Sequence, residues 1–361
     1  MDATRLHDIL SGRERGAFAA TLRGATRIAE PLYGGLMTAR NVLFDASILP
    51  SRALPVPVIS VGNITAGGTG KTPVVLWLEQ RLRATGMRPA ILMRGYKRGR
   101  AQASDEEEML RQQLNAHSAA PAVVHAQPDR VAGGQRVLAE HPDVNVFILD
   151  DGFQHRRLRR QFDLVLIDAM NPFGYGHIHP RGLLREPLRG LRRADAFVMT
   201  RSDQVSRDER QRITDILRMW NPTAPVYEAR HAHTGVRKPG SANTPIDELS
   251  GRHFFAFAGI ANPLAFEQQL SKLPGRFRGR HWFTDHHAYD ERDVAAVREQ
   301  ATAAGADLLL TTEKDWAKLA RLPPTANGTP PIWRLALEIQ LDPHAEAGLL
   351  QLIQTRIERN A

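Results

Sequence analysis

The stretch Val61–Pro73, VGNITAGGTGKTP, has the residue types that cradle a nucleotide triphosphate. The pattern for that task is a glycine, four residues, then Gly-Lys-Ser/Thr. Gly70, Lys71 and Thr72 fit its second half, but Thr65 stands where the first glycine belongs. Thr65, Ala66, Gly67, Gly68, Thr69 and Gly70 form the candidate loop, whose glycines let backbone N–H groups converge on phosphate oxygens. Lys71 is spaced to reach the β- and γ-phosphates, and Thr72 to ligate Mg²⁺. The bland alternative is a glycine-rich turn. Downstream, VNVFILDD ends in Asp150 and Asp151, the strand-end acids that such a site uses to hold its metal. Two adjacent carboxylates at a strand end repel each other unless a cation sits between them.

Other residues with chemical potential are less specific. Arginines and lysines cluster at Arg94, Lys97, Arg98 and Arg100, at Arg156, Arg157, Arg159 and Arg160, and at Arg181, Arg185, Arg189, Arg192 and Arg193. Any one cluster could be a solvated face, yet loops after strands are where an α/β sheet binds ligands. Two or three of these arginines are expected to meet phosphate. Ser104-Asp105-Glu106-Glu107 fits a helix capping box. His286 and His287 are neighbours and so make a poor metal chelate; contact with substrate or nucleotide is the better expectation.

The elements that must position these groups follow from periodicity. VPVIS (56–60), RPAILM (88–93), VNVFILDD (144–151), FDLVLIDA (162–169) and ADAFVMT (194–200) read as buried strands, and PVVLWLEQRLRATG (73–86) as a helix. Strands alternating with helices argue for an α/β fold, a doubly wound and mostly parallel P-loop-type sheet. The glycine loop then sits where its chemistry demands, between a strand and a helix. Ahead of it, residues 1–54 form a helical element. Phe18, Leu22, Ala25, Ala29, Leu32, Leu36, Ala39 and Leu43 make one apolar stripe, and Pro31 is expected to break or restart the helix. The stripe either packs on the domain behind it or rests on a membrane. The P-loop core is expected at 55–235. A polar stretch at about 230–250 reads as a linker, and a smaller C-terminal α/β domain follows at 236–361, with strands at 254–260, 307–312 and 332–337 and helices at 294–305 and 345–360.

The 361 residues leave room for two domains, and 42% hydrophobic with 24% charged content is globular material. The chain has no cysteine, which excludes disulfides and thiolate metal sites. No apolar run is long enough for a spanning helix, and the N-terminus lacks the pattern of a secretory signal. The net charge of +9 attracts phosphorylated ligands, anionic lipid or nucleic acid.

Taken together, these segments resemble the tetraacyldisaccharide 4′-kinases, the lipid A 4′-kinases of Gram-negative bacteria. The residues that carry the resemblance are PVPVISVGNITAGGTGKTP (55–73), MRGYKRG (93–99), PDRVAGG (128–134), ILDDGFQHRRLRRQFDLVLID (148–168), GHIHPRGLLREP (176–187), FAGIANPLAF (257–266), FTDHHAYD (283–290) and TTEKDWAKL (311–319). The family's own loop begins with threonine, which accounts for Thr65. The resemblance implies ATP, Mg²⁺ and transfer of the γ-phosphoryl to the 4′-hydroxyl of a tetraacylated glucosamine disaccharide 1-phosphate. It implies association with the cytoplasmic face of the inner membrane through the N-terminal helix, with no nucleic acid and no obligate protein partner. It carries Lys71 and Thr72 over as phosphate and Mg²⁺ contacts, Asp150, Asp151 and Glu186 as the acidic metal site, and His286 as a histidine near the nucleotide. Asp105 matches the aspartate assigned as the base, with Glu106 its nearest rival, because Ser-Asp-Glu-Glu stands here for the family's Gly-Asp-Glu-Pro.

Two other classes compete. Thr200-Arg201-Ser202-Asp203 faintly matches a guanine-reading motif, which would make the chain a GTP-dependent switch or assembly factor, but arginine replaces the required lysine. A nucleic-acid-dependent ATPase would rest on net charge alone, with aromatics only 6% of the chain and no basic aromatic platform.

Overall fold

The computed structural model describes residues 9, 12–66, 69–95, 107, 110, 111, 113, 114, 121–238, 243–260, 263–284, 287–320, 322 and 330–359. Helix α1 spans Ala17–Asp45. Strand β1 (Val58–Asn63) leads through the glycine loop to α2 (Lys71–Ala84) and β2 (Pro89–Met93). Then come β3 (Val123–Ala126), α3 (Arg130–Glu140), β4 (Val146–Asp150), β5 (Phe162–Asp168), β6 (Ala196–Thr200) and α4 (Arg207–Trp220). Strand β7 (Val226–Arg237) is followed by β8 (Asn243–Pro245), β9 (His253–Ala258), α5 (Pro263–Leu270) and β10 (Arg276–Trp282). Helix α6 (Glu291–Ala303), β11 (Leu308–Thr312), α7 (Glu313–Leu319), β12 (Ile332–Leu341) and α8 (Pro343–Glu358) complete the order.

The chain divides into two compact units. The first comprises residues 1–114, 120–231 and 339–361; the second comprises 115–119 and 232–338. In the first unit the strands run β7-β6-β5-β1-β4-β2-β3, all parallel. Every residue of β1 is buried, as expected for a strand covered on both faces. Its neighbours are β4 and β5, so the order reverses around β1 and opens a crevice at its carboxyl end. The glycine loop leaves β1 at that point.

Residues from the chain's far end finish this core. Ile339, Leu349, Ile353 and Ile357 belong to the same buried cluster as Ile59, Val61, Val75 and Leu78. The second unit carries a parallel run β10-β9-β11-β12, with β8 antiparallel to the end of β7. Its cores are built on Phe254, Ala256, Leu308 and Leu310 on one face of the sheet and Phe255, Phe257 and Leu309 on the other.

Three expectations are corrected. The polar stretch at 230–250 is no linker: β7 occupies Val226–Arg237 and β8 pairs with it at Gly235–Arg237. The C-terminal boundary also moves, because α8 belongs to the first unit rather than to a domain running from 236 to 361. Helix α1 runs through Pro31 unbroken. A proline removes one backbone donor and crowds the preceding turn, but tertiary contacts grip the helix on either side of it. Glu30 accepts from the Ile178 amide at 3.0 Å, and Tyr33 donates to the Arg185 carbonyl at 3.3 Å. The apolar stripe does not pack inward. Phe18, Leu32 and Leu36 are 59%, 75% and 67% exposed, while Asn41 and Phe44 are buried.

Candidate active site

Thr65 is buried and bridges Leu184, and the Ala66 amide donates to the Leu183 carbonyl at 2.6 Å, so the loop's first half is clamped to the 183–185 segment. At the other end Thr200 at the tip of β6 donates to the Thr69 carbonyl at 3.1 Å. Gly70 lies in the left-handed region at φ +80, and a Cβ there would meet His231 Nε2 at 2.6 Å. Only glycine fits both demands. Helix α2 starts at Lys71 with no side-chain cap and no acid in its first turn. Its first amides are therefore left to an anion, with the helix dipole in support.

Lys71 Nζ lies 3.3 Å from Asn63 Oδ1 and 3.5 Å from Asp151 Oδ1. Asp151 adopts φ 52, in the left-handed region. Arg185 Nη1 donates to both its oxygens, at 2.7 and 2.8 Å. Burial alone would raise the Asp151 carboxyl, but Lys71 and Arg185 outweigh it and hold the group below the usual carboxylate range. Asp150 closes β4, and Thr72 follows Lys71 at the start of α2. These two have the hard oxygen donors Mg²⁺ prefers, and that ion takes few protein ligands because it keeps waters and phosphate oxygens. Among the described residues no three acids or histidines cluster as a self-sufficient metal cage.

Glu186 departs from its expected role. It is fully buried, and Arg193, Gln154 and Asn41 all donate to its carboxylate. In this structure its two oxygens accept from this nest of donors. Gly67, Gly68, Asp105, Glu106 and His286 lie outside the described residues.

A cavity of about 640 Å³ opens beside Asp151. Asp151, Gln154 and Arg185 line it together with Arg40, Arg94 and Arg130. Four guanidiniums around one cavity suit a phosphorylated ligand, because each offers a planar fork of donors. A neighbouring cavity of about 770 Å³ shares Arg40, Pro128 and His155 and adds Phe44, Leu49 and Val131. His155 is pushed down to about 4 by burial and by Arg130, Arg160 and Arg40, so it is neutral at pH 7. Of the arginine clusters, Arg94 and Arg185 reach the cavity. Arg160 and Arg193 instead pair with Asp163 and Glu186, and Arg156 with Asp45.

Sequence reasoning passed over Asn63, Gln154, Arg40 and Arg130. Asn63, Gln154 and Arg130 lie inside quoted motifs, 61–73, 148–168 and 128–134, which was the available signal.

The family model for tetraacyldisaccharide-1-P 4′-kinase, LpxK, matches residues 24–357. This chain belongs to that family. A tetraacyldisaccharide 4′-kinase of Syntrophobacter fumaroxidans is 41% identical over 282 residues, 74% of this chain and 73% of the relative. Another from Halothermothrix orenii is 35% identical over 319 residues, 81% and 82% of the two chains. The crystal structure of LpxK from Aquifex aeolicus in complex with ATP aligns with a TM-score of 0.71 at 29% identity, covering 93% of this chain and 99% of that one. Membership in the LpxK family bears out the resemblance read from the motifs and the P-loop α/β fold.

Proposed function

We infer that this chain is an ATP-dependent kinase that phosphorylates the 4′-hydroxyl of a tetraacylated glucosamine disaccharide 1-phosphate, a step in making lipid A. The observation that carries this reading is the adjacency of two seats. Asp151, which pairs with Lys71 at the head of α2, lines the arginine-rich cavity together with its other partner, Arg185. A donor triphosphate and a phosphorylated acceptor thus share one boundary. The GTP-switch alternative gains nothing: Arg201 of its motif is ion-paired with Asp168.

The reaction forms a bond between the acceptor oxygen and the γ-phosphorus and breaks the bond to the β–γ bridging oxygen. ADP leaves with the electron pair. Phosphoryl transfer asks the protein mainly for position and charge neutralisation. Lys71 and the loop amides hold the triphosphate and offset the charge that builds on it. Mg²⁺, held by Thr72 and Asp150, would neutralise the β- and γ-oxygens. Asp151 keeps Lys71 and Arg185 aimed at the boundary. Asp105 takes the hydroxyl proton, a task typically worth about 10²–10⁴-fold. His286 contacts the nucleotide. Arg40, Arg94 and Arg130 bind the acceptor's phosphate.

The acceptor is a lipid, and α1 supplies the means to reach it. Ile28, Leu32 and Leu36 are 75%, 75% and 67% exposed along one face. Among the described residues no helix is long and apolar enough to cross a membrane. A helix of this kind lies in the interface with its apolar face down. We place the protein at the membrane's cytoplasmic face, where ATP is available, and expect no nucleic acid and no obligate protein partner.

The test is direct. With labelled ATP, Mg²⁺ and the disaccharide 1-phosphate lipid in detergent, the protein should produce a labelled bisphosphate lipid. ATP hydrolysis without lipid labelling would refute the reading. For the membrane, Leu32→Glu with Leu36→Glu should abolish co-sedimentation with anionic vesicles. Unchanged co-sedimentation would remove α1 from that role.

A further inference from the structure

Glu186 has the wrong surroundings for a metal ligand and the right ones for a different task. Arg193 Nη2 lies 2.9 and 2.8 Å from its two oxygens, Gln154 Nε2 2.9 Å from one, and Asn41 Nδ2 2.7 Å from the other. These partners are all donors, and the carboxylate is 0% exposed. Room for it is made at Gly190, where a Cβ would come within 2.5 Å of Glu186 Oε2. A buried ion pair with Arg193 would satisfy the core by itself. The other two donors come from elements that lead elsewhere.

Asn41 sits on the buried face of α1. Gln154 sits three residues after Asp151, and its amide is fixed at both ends. Its Nε2 also donates to the Asn63 carbonyl at 2.9 Å, and its Oε1 lies 3.5 Å from Arg185 Nη1. Arg40 of α1 holds the Gln154 backbone carbonyl at 2.7 Å. From Gln154 two short routes reach Lys71. One passes through Asn63, whose Oδ1 accepts from Lys71 Nζ. The other passes through Arg185 and Asp151.

We propose that Glu186 is a positioning residue for phosphoryl transfer, which transmits the seating of helix α1 to Lys71 through the Gln154 amide. The proposal rests on the kinase reading for its assay. If Glu186 turned away, the Gln154 amide nitrogen would lose one of the two acceptors that fix it, the other being the Asn63 carbonyl. Asn63 and Arg185, through which Gln154 reaches Lys71, would then be held less firmly. Displacements of about 1 Å at a reacting centre cost on the order of 10²-fold in rate.

The experiment uses the full chain in detergent with two variants, Glu186→Gln and Asn41→Leu. Glu186→Gln confronts its donors with an amide nitrogen. It should lower kcat by about 10–100-fold, the usual range for groups that orient a first layer of ligands. The KM for ATP and the Mg²⁺ concentration at half-maximal rate should stay within about twofold. Asn41→Leu should lower kcat about fivefold with the same constancy. Recovery of the Glu186→Gln rate at high Mg²⁺ would make Glu186 a metal ligand and overturn the proposal. So would a wild-type kcat in Asn41→Leu. Should Glu186→Gln fail to fold, Asn41→Leu decides alone, because it keeps the Arg193–Glu186 pair. Failure of the kinase reading looks different: the wild-type protein itself would label no lipid. The variants would then be compared by their rates of Lys71-dependent ATP hydrolysis, with the same two outcomes.

Discussion

Asp151 and Glu186 are both acids at one nucleotide site, and they live under opposite conditions. Asp151 is partly open to the cavity, between Lys71 and Arg185, the two cations proposed to act on a ligand. Glu186 is sealed, and its chief cation, Arg193, lies over the Phe153 ring at 4.5 Å and does not line the arginine-rich cavity. A carboxylate at a mouth can exchange partners when a triphosphate arrives. A carboxylate in a sealed nest cannot, since leaving one buried charge unpaired costs about 3–5 kcal/mol. One region is therefore built to change state and the other to stay fixed.

That contrast can be broken in several ways, in descending size of effect. Lys71→Ala should lower kcat/KM by about 10³-fold, roughly 4 kcal/mol, with an unchanged unfolding midpoint. A large loss of stability would mean that Lys71 belongs to the fixed region. Arg193→Met should do the reverse and destabilise the first unit by about 3–4 kcal/mol in denaturant titrations, by stranding Glu186. An unchanged midpoint would show that the nest is open to water. Gly190→Ala should cost about 1–3 kcal/mol, since the new methyl must push against Glu186. A neutral result would mean that the carboxylate has room to move.

A further test concerns pH. His155 titrates at about 4 when folded against 6.5 ordinarily, so the unfolded chain binds the extra proton first. Stability tied to His155 is complete above pH 6.5 and is lost as pH falls towards 4. His155→Gln should flatten the fall of the unfolding midpoint across that window. An identical slope in the variant would show that the imidazole is freely hydrated.

The sequence made the phosphate end of the site legible because its chemistry is local. The glycine loop, Lys71, Thr72 and the Asp150–Asp151 pair are contiguous runs whose neighbours in the chain are their neighbours in space. The fate of Glu186 was not legible. Its partners are Asn41, Gln154 and Arg193, scattered over the chain, and nothing in their spacing says that four donor–acceptor contacts converge. The fold shows the same division. Buried parallel strands such as β1, β4 and β6 announce themselves as apolar runs. Strand β7 hid because only Ala229, Gly235, Val236 and Arg237 are buried along a polar segment, and β10 hid because its arginines alternate outward at 276, 278 and 280. Pro31 misled because local backbone chemistry argued for a break, while contacts from Glu30 and Tyr33 hold the helix through it.

The return of the chain to the first unit has a bearing on its synthesis. Strand β12 ends and α8 lies in that unit, and Leu349, Ile353 and Ile357 share a core with β1 and α2. A ribosome delivers those residues only after the second unit's segment. The second unit's segment has emerged whole by then, whereas the sheet that carries Lys71 still lacks part of its cover. The first unit must wait for α8 before its core closes, and a nascent chain cut short before residue 343 would leave that unit, with the glycine loop it bears, exposed to chaperones and proteases.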